Sequence, residues 1–362
     1  MLADQLLVAV QGKGTAGVAV IDGVDGVVDR AWVPQTLTAE PRFLAYSITK
    51  SFIATLILRL QERRLLTLDD RLALWFPALP QAANISLRHL LNHTGGIPDY
   101  GGFPAYHAAL RTNPTQAWTV DDYLTFIRKH GLRFAPGTGW AYANPGYLLL
   151  KRIAELVSGQ PFAALVNEQI VQPLALRDTF VAETVADLSS LAPAPTKALS
   201  PDGEWLDTRL HYHPGWVSHG VVAATPSAIA TFYHALFRGK LLSPESLQAM
   251  TTFVRVPSAH APWVEPSYGL GIMGDPASPV GVLWGHGGGG PGYAASAFHM
   301  PDLYCGCNEN RSFYPSKNFD SHAEQSIAGR PVTVCVLSAI EGGFDVEALA
   351  REILAQRLSR VA

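Results

Sequence analysis

Residues Ser47 to Arg64 carry apolar side chains around most of a helical circumference, and that pattern limits where the segment can sit. Ile48, Phe52, Ile53, Leu56, Ile57 and Leu60 recur at helical spacing, with further apolar residues between them. A helix with one apolar stripe lies on a surface, whereas one that is apolar nearly all round has to be covered on every side. The run Phe52 to Leu58 falls far short of the roughly 20 residues that span a bilayer. Its cover must therefore be protein, and a chain of 362 residues with 48% apolar side chains is long enough to supply it.

The flanking patterns indicate what that cover is. A short helix opens the chain, followed by the β-rich runs Gly17 to Ile21 and Gly26 to Trp32 around Asp22-Gly23, which predict a hairpin. Helical patterns broken by Pro and Gly follow at Leu87 to Leu91, Val120 to His130 and Gly146 to Val157, with little strand signal from 66 to 210. β character returns at Tyr268 to Met273, Val282 to Trp284, Ala294 to His299 and Val332 to Ser338, and a helix from Asp345 to Arg360 ends the chain. Strands at both ends with helices between them predict an α+β fold. Its antiparallel sheet domain, flanked by helices, spans residues 1–75 and 215–362, and an all-helical domain of residues 76–214 is inserted into it.

Composition excludes several functions. The net charge is −3 and no Lys/Arg cluster exceeds a few residues, so neither a nucleic-acid groove nor an anionic membrane patch is expected. Three cysteines, Cys305, Cys307 and Cys335, make no disulfide framework. Cys305 and Cys307 lack the second ligand pair of a structural zinc site, and no metal or other cofactor is expected. The segment 303–330 is polar, weakly periodic and longer than a simple hairpin; its role and the oligomeric state stay open. The N-terminus has no basic stretch before its short apolar run, which predicts a cytoplasmic chain or one already trimmed of a leader.

Three short motifs bear chemistry. Ser47-Ile-Thr-Lys50 sets a hydroxyl and an amine on one face at the start of the buried helix. A serine becomes a nucleophile when a base removes its proton, and a lysine can act so when burial lowers its proton affinity. The competing reading is a helix-capping serine followed by a snorkelling lysine. Tyr142-Ala-Asn144 lies in a Pro- and Gly-rich loop ahead of a helix, where a tyrosine can exchange protons with a lysine and an asparagine can orient a carbonyl. Taken alone it reads equally as a surface tyrosine and a turn asparagine. His286-Gly-Gly-Gly-Gly-Pro-Gly lets backbone approach a ligand closely and offers N–H donors; no Gly-Lys-Ser/Thr ending marks it as a phosphate loop.

The three in this order resemble the serine β-lactamase-like hydrolases, which include class C β-lactamases, DD-peptidases, D-amino-acid-specific peptidases and family VIII esterases. The resemblance extends over nearly the whole chain through Leu66 to Asp70, Ile85 to Asp99, Phe134 to Gly137 and Gly220 to Pro226. It implies a site between sheet and helical regions, with Ser47 as acylated nucleophile, Lys50 as its proton partner and Tyr142 as acylation or deacylation base. It further implies that Asn144, His286 and Gly288 bind substrate, and that the N–H groups of Gly289 and Ser47 form an oxyanion hole. His93-Thr-Gly95 is expected to shape the cleft wall without chemistry. His286 stands where β-lactamases carry lysine, and a ring that is neutral near physiological pH suits a substrate lacking a carboxylate. The function implied is hydrolysis of a small ester, amide or peptide through an acyl-enzyme. Acyl transfer, weak β-lactamase activity and non-catalytic capture of an acyl ligand are the alternatives.

Overall fold

The computed structural model describes residues 1–23, 26–258, 261–301 and 331–359; Cys305, Cys307 and the segment 303–330 lie outside them. The expected hairpin is present as β1 (Thr15–Asp22) and β2 (Val28–Val33). It opens an antiparallel sheet completed by β3 (Val254–Arg255), β4 (Ser267–Tyr268), β5 (Met273–Asp275), β6 (Leu283–Gly290), β7 (Tyr293–Met300) and β8 (Val332–Ala339). The strand order is β2-β1-β8-β7-β6-β5-β4-β3, so the last strand inserts between the first hairpin and the rest.

Both faces of the sheet are covered, which is why β8 is buried along its whole length, its polar Thr333 and Ser338 included. Side chains alternate between the faces. Val18, Val20, Val334, Val336, Phe298 and Met300 point to an outer layer made by the terminal helices α1 (Leu2–Val10) and α5 (Val346–Ser359). Ala19, Ile21, Cys335, Leu337, Ala295 and Ala297 point the other way, into a core shared with α2 (Thr49–Glu62). Also in that core are α3 (Asn144–Ser158) and α4 (Pro226–Phe237). Every residue of α2 from Thr49 to Leu58 is buried, as its all-round apolar pattern demands.

Three differences from the sequence reading bear on the site. The strand expected to stop near Trp284 continues through the glycines to Gly290, because the backbone pairs with β7 and glycine is needed there for clearance. Tyr268 to Met273 is two short strands joined by a turn at Gly271 (φ 73°), not one. Val221–Ala224 is a strand between Phe43–Leu44 and Phe180–Ala182, and its alanines gave little β signal. The helical block between α2 and α4 thus also contains short strands, Pro195–Thr196 with Leu206–Asp207 among them. Among the described residues no helix is long and apolar enough to cross a membrane.

The sheet and α4 are in tight contact at Gly17. A Cβ built there would fall 2.8 Å from Pro226 Cγ, and a proline ring closed onto its own backbone cannot swing aside as a flexible chain end would. Gly17→Val should lower the unfolding free energy by ~1–3 kcal/mol through overpacking. Urea melts measure this, and an unchanged midpoint would mean that α4 moves freely off the sheet.

Candidate active site

The site begins at the turn that feeds α2. Ala45 N–H donates to Val222 O at 2.8 Å and Thr49 Oγ1 accepts from Val222 N–H at 2.9 Å, so the entry to the helix is pinned to the strand Val221–Ala224. Between these anchors, Tyr46–Ile48 form a single 3-10 turn. Tyr46 sits at φ 44°, a left-handed conformation that a bulky side chain adopts only under constraint, and its hydroxyl donates to Pro291 O at 2.7 Å. This turn leaves Ser47 partly exposed and aims Lys50, one turn on, into the core.

The Lys50 side chain is completely buried, with Nζ 3.1 Å from Ser47 Oγ, 2.7 Å from Asn144 Oδ1 and 3.3 Å from His219 Nε2. Burial holds its proton affinity well below the ordinary lysine value, with the negative charge of Asp99 opposing the effect. Asn144 is the first residue of α3. Its backbone N–H and side-chain Nδ2 donate to Asp99 Oδ1 at 2.8 and 3.0 Å. A carboxylate only accepts, so Asp99 fixes the amide with Oδ1 turned toward the lysine.

Tyr142 completes the contacts of the serine: its hydroxyl donates to Ser47 Oγ at 2.9 Å. Burial raises the phenol pKa above the usual tyrosine range, with the Ser47 hydrogen bond the main opposing influence, so the group keeps its proton at neutral pH. Beneath it, His93 (φ 63°) packs its ring 4.4 Å from that of Tyr142 and accepts from Ala143 N–H at 3.2 Å. His93 therefore holds the backbone between Tyr142 and Asn144 in place.

Strand β6 passes directly over the Ser47 turn. His286 faces inward opposite Ala297, in the row that runs on through Cys335 to Ala19. Its Nδ1 bonds the Gly287 carbonyl and its Nε2 lies 2.8 Å from Tyr268 Oη, so both ring nitrogens already have protein partners. Burial, with Lys50 adding to it, pulls its pKa down to about 3, and the ring is uncharged at neutral pH. Two residues on, a Cβ on Gly288 would come within 2.5 Å of Ala45 O and 2.9 Å of Ser47 N. Only a residue without a side chain lets the strand approach the Ser47 turn this closely. Gly289 is exposed beside it.

Ser47, Lys50, Tyr142 and Asn144 thus meet within hydrogen-bonding distance, and Gly288 borders Ser47. A model of the family described as Beta-lactamase matches residues 3–358. The chain belongs to the beta-lactamase family. Penicillin-binding protein 4* of Bacillus subtilis (strain 168) is 28% identical over 298 residues, covering 78% of this chain and 62% of that protein. Esterase EstB of Burkholderia gladioli is 30% identical over 164 residues, 42% of this chain and 41% of the esterase. These curated relatives are therefore matched over only about half of their own length. Among solved structures, a D-stereospecific amidohydrolase from Streptomyces sp. superposes with a TM-score of 0.76 at 26% identity, over 99% of this chain and 97% of that one. The beta-lactamase-family fold is an antiparallel sheet with helices, as found here.

Sequence reasoning missed Asp99, His219 and Tyr268 as neighbours of this family's site. Asp99 ends a recognised stretch but carried no assigned role. His219 is 169 residues from Lys50, and no local spacing joins them.

Four buried histidines link the site region to acid stability. Burial is the largest cause holding His93, His219, His286 and His299 below the ordinary histidine pKa, the last two at about 3. An unfolded chain binds a proton on each near pH 6.5, whereas the folded chain does not. Below that pH the unfolded state therefore holds more protons, and stability falls as pH falls. Denaturant melts between pH 7 and pH 4 should show a loss of up to ~1.4 kcal/mol per pH unit per histidine. A flat profile in that window would contradict the buried neutral rings.

Proposed function

We propose that this protein hydrolyses ester or amide bonds through an acyl-enzyme on Ser47. The observation that carries the reading is the convergence of a buried, weakly basic amine and a protonated phenol on one partly exposed serine hydroxyl. Lys50 takes the Ser47 proton as Oγ attacks the carbonyl carbon. The oxyanion formed is held by the N–H groups of Ser47 and Gly289, aided by the positive end of α2. Tyr142 gives its phenol proton to the departing alkoxide or amine, and the Lys50 ammonium, which meets the phenol at Ser47 Oγ, returns a proton to the phenolate. The bond to the leaving group breaks and the acyl group stays on Ser47. Water then reverses these proton transfers to release the acid. Asn144 orients Lys50 first, and the substrate second.

The uncharged His286 supports a substrate without a carboxylate at that subsite, which favours a carboxylesterase or a D-amino-acid-type peptidase over a β-lactamase. The esterase and D-stereospecific amidohydrolase among the similar proteins are compatible with this reading.

Ser47→Ala should reduce hydrolysis of a p-nitrophenyl short-chain ester by roughly 10⁴-fold or more, and Lys50→Ala should do nearly the same. Tyr142→Phe should slow acylation or deacylation, and intact-mass spectrometry tells which by whether an adduct accumulates. A Ser47→Ala enzyme as fast as wild type would sink the proposal.

His286→Lys places a cation where the neutral ring now lies. The ratio of kcat/KM for a chromogenic cephalosporin to that for the neutral ester should rise by about tenfold, the value of one charge-assisted hydrogen bond. No change in that ratio would remove His286 from the specificity argument.

A further inference from the structure

One contact of Lys50 has no part in the scheme above. His219 Nε2 lies 3.3 Å from Lys50 Nζ, and both side chains are buried. The ring stands in a turn closed by Gly220 N–H donating to Val217 O at 2.7 Å, with Gly220 at φ 83°. The strand Val221–Ala224 follows at once, and it is the strand pinned to the start of α2. Ring and amine are therefore held at a fixed separation by paired backbone.

The hydrogens on the Lys50 nitrogen fix what the ring must do. A neutral amine has two hydrogens and one lone pair. Asn144 Oδ1 takes one hydrogen, because the amide nitrogen is already committed to Asp99. With a proton on His219 Nε2, the ring would donate to the lone pair and leave the amine unable to accept from Ser47. With Nε2 bare, the ring accepts the second hydrogen and the lone pair is free for Ser47 Oγ. Once the serine proton has arrived, the ammonium has three hydrogens and three acceptors, namely Asn144 Oδ1, His219 Nε2 and Ser47 Oγ.

We propose that His219 is a positioning residue for Lys50: its Nε2 accepts an amine hydrogen, so that the lone pair faces Ser47 and the ammonium formed there keeps an acceptor for every hydrogen. The proposal rests on the reading of Ser47 and Lys50 given above.

A second observation supports it. Nδ1 of His219 has no hydrogen-bond partner among the described residues, and in the required tautomer it carries the proton. With nothing bonded at Nδ1, no competing contact opposes Lys50 in setting the tautomer of the ring. The groups facing the pair do not substitute for this contact. The Tyr147 ring lies 5.5 Å from Lys50 Nζ; His93 and His286 are neutral; Asp99 acts through Asn144. Lys151, whose own field includes Glu155 and Glu183, lies beyond Gly220 and opposes a charge on His219.

The test pairs His219→Leu, which removes the acceptor, with His219→Gln, which retains one. Without the acceptor the ammonium is less favoured, so the acidic limb of kcat/KM in the leucine variant should move down by about one pH unit. A weaker base slows the attack step, so on the pH plateau kcat/KM for a p-nitrophenyl ester should fall about tenfold. Glutamine should restore both the limb and the rate. In the unaltered protein, a long-range ¹H–¹⁵N spectrum at pH 7 should report His219 with its proton on Nδ1. A proton on Nε2, an unmoved acidic limb in the leucine variant, or glutamine behaving like leucine would each overturn the proposal. Failure of all Ser47-dependent turnover would instead overturn the hydrolase reading, and the tautomer spectrum would still decide the contact.

Discussion

An amine surrounded by protein holds its proton weakly, and the structure is arranged to place one such amine beside one hydroxyl. Lys50 is in the first turn of α2, a helix apolar enough to be driven into the centre of the molecule, so its side chain has no route to water. What would otherwise be a severe penalty for burying an ammonium becomes a lowered proton affinity. Everything around the nitrogen is an acceptor without full charge: an amide oxygen, an imidazole nitrogen and the serine itself. A carboxylate in direct contact would restore the proton affinity that burial removes. Asp99 is kept one step away, where it orients Asn144 and exerts only a weakened pull.

The glycine run in β6 is the second consequence of that arrangement. The turn carrying Ser47 is fixed by Ala45, Tyr46 and Thr49, so the neighbouring strand has to give way, and it does so by having no side chains at Gly288 and Gly290. The same close approach brings His286 over the site from the inner face of the sheet. There its two nitrogens are taken by Tyr268 and the Gly287 carbonyl, which leaves an uncharged wall where a lysine would present a cation. Charge in this site is thus scarce by construction, and the proposed preference for substrates without a carboxylate follows from that scarcity.

The aromatic and imidazole rings near Tyr142 have a positional role. His93 touches Tyr142, Tyr147 and Tyr268, with ring centres 4.4 to 5.3 Å apart, and its Nδ1 holds the peptide that joins Tyr142 to Asn144. A tyrosine on a Pro- and Gly-rich loop is held in one orientation by this packing, which removes its rotational freedom and suits it to the proton transfer proposed for it.

The sequence alone determined the features that depend on local period and local chemistry. These are the buried helix, the first hairpin, the α+β character, and the Ser47, Lys50, Tyr142, Asn144 and His286 motifs, each legible within a few residues. The tertiary structure alone decided that Asp99 locks Asn144 across 45 residues and that His219 touches Lys50 across 169. It alone decided that the glycines form strand, and that His286 has no free nitrogen. Periodicity reports which face of an element is apolar, but not which other element will cover that face. A hydrogen bond between residues far apart in the chain is fixed by packing, and packing leaves no trace in the spacing of either partner.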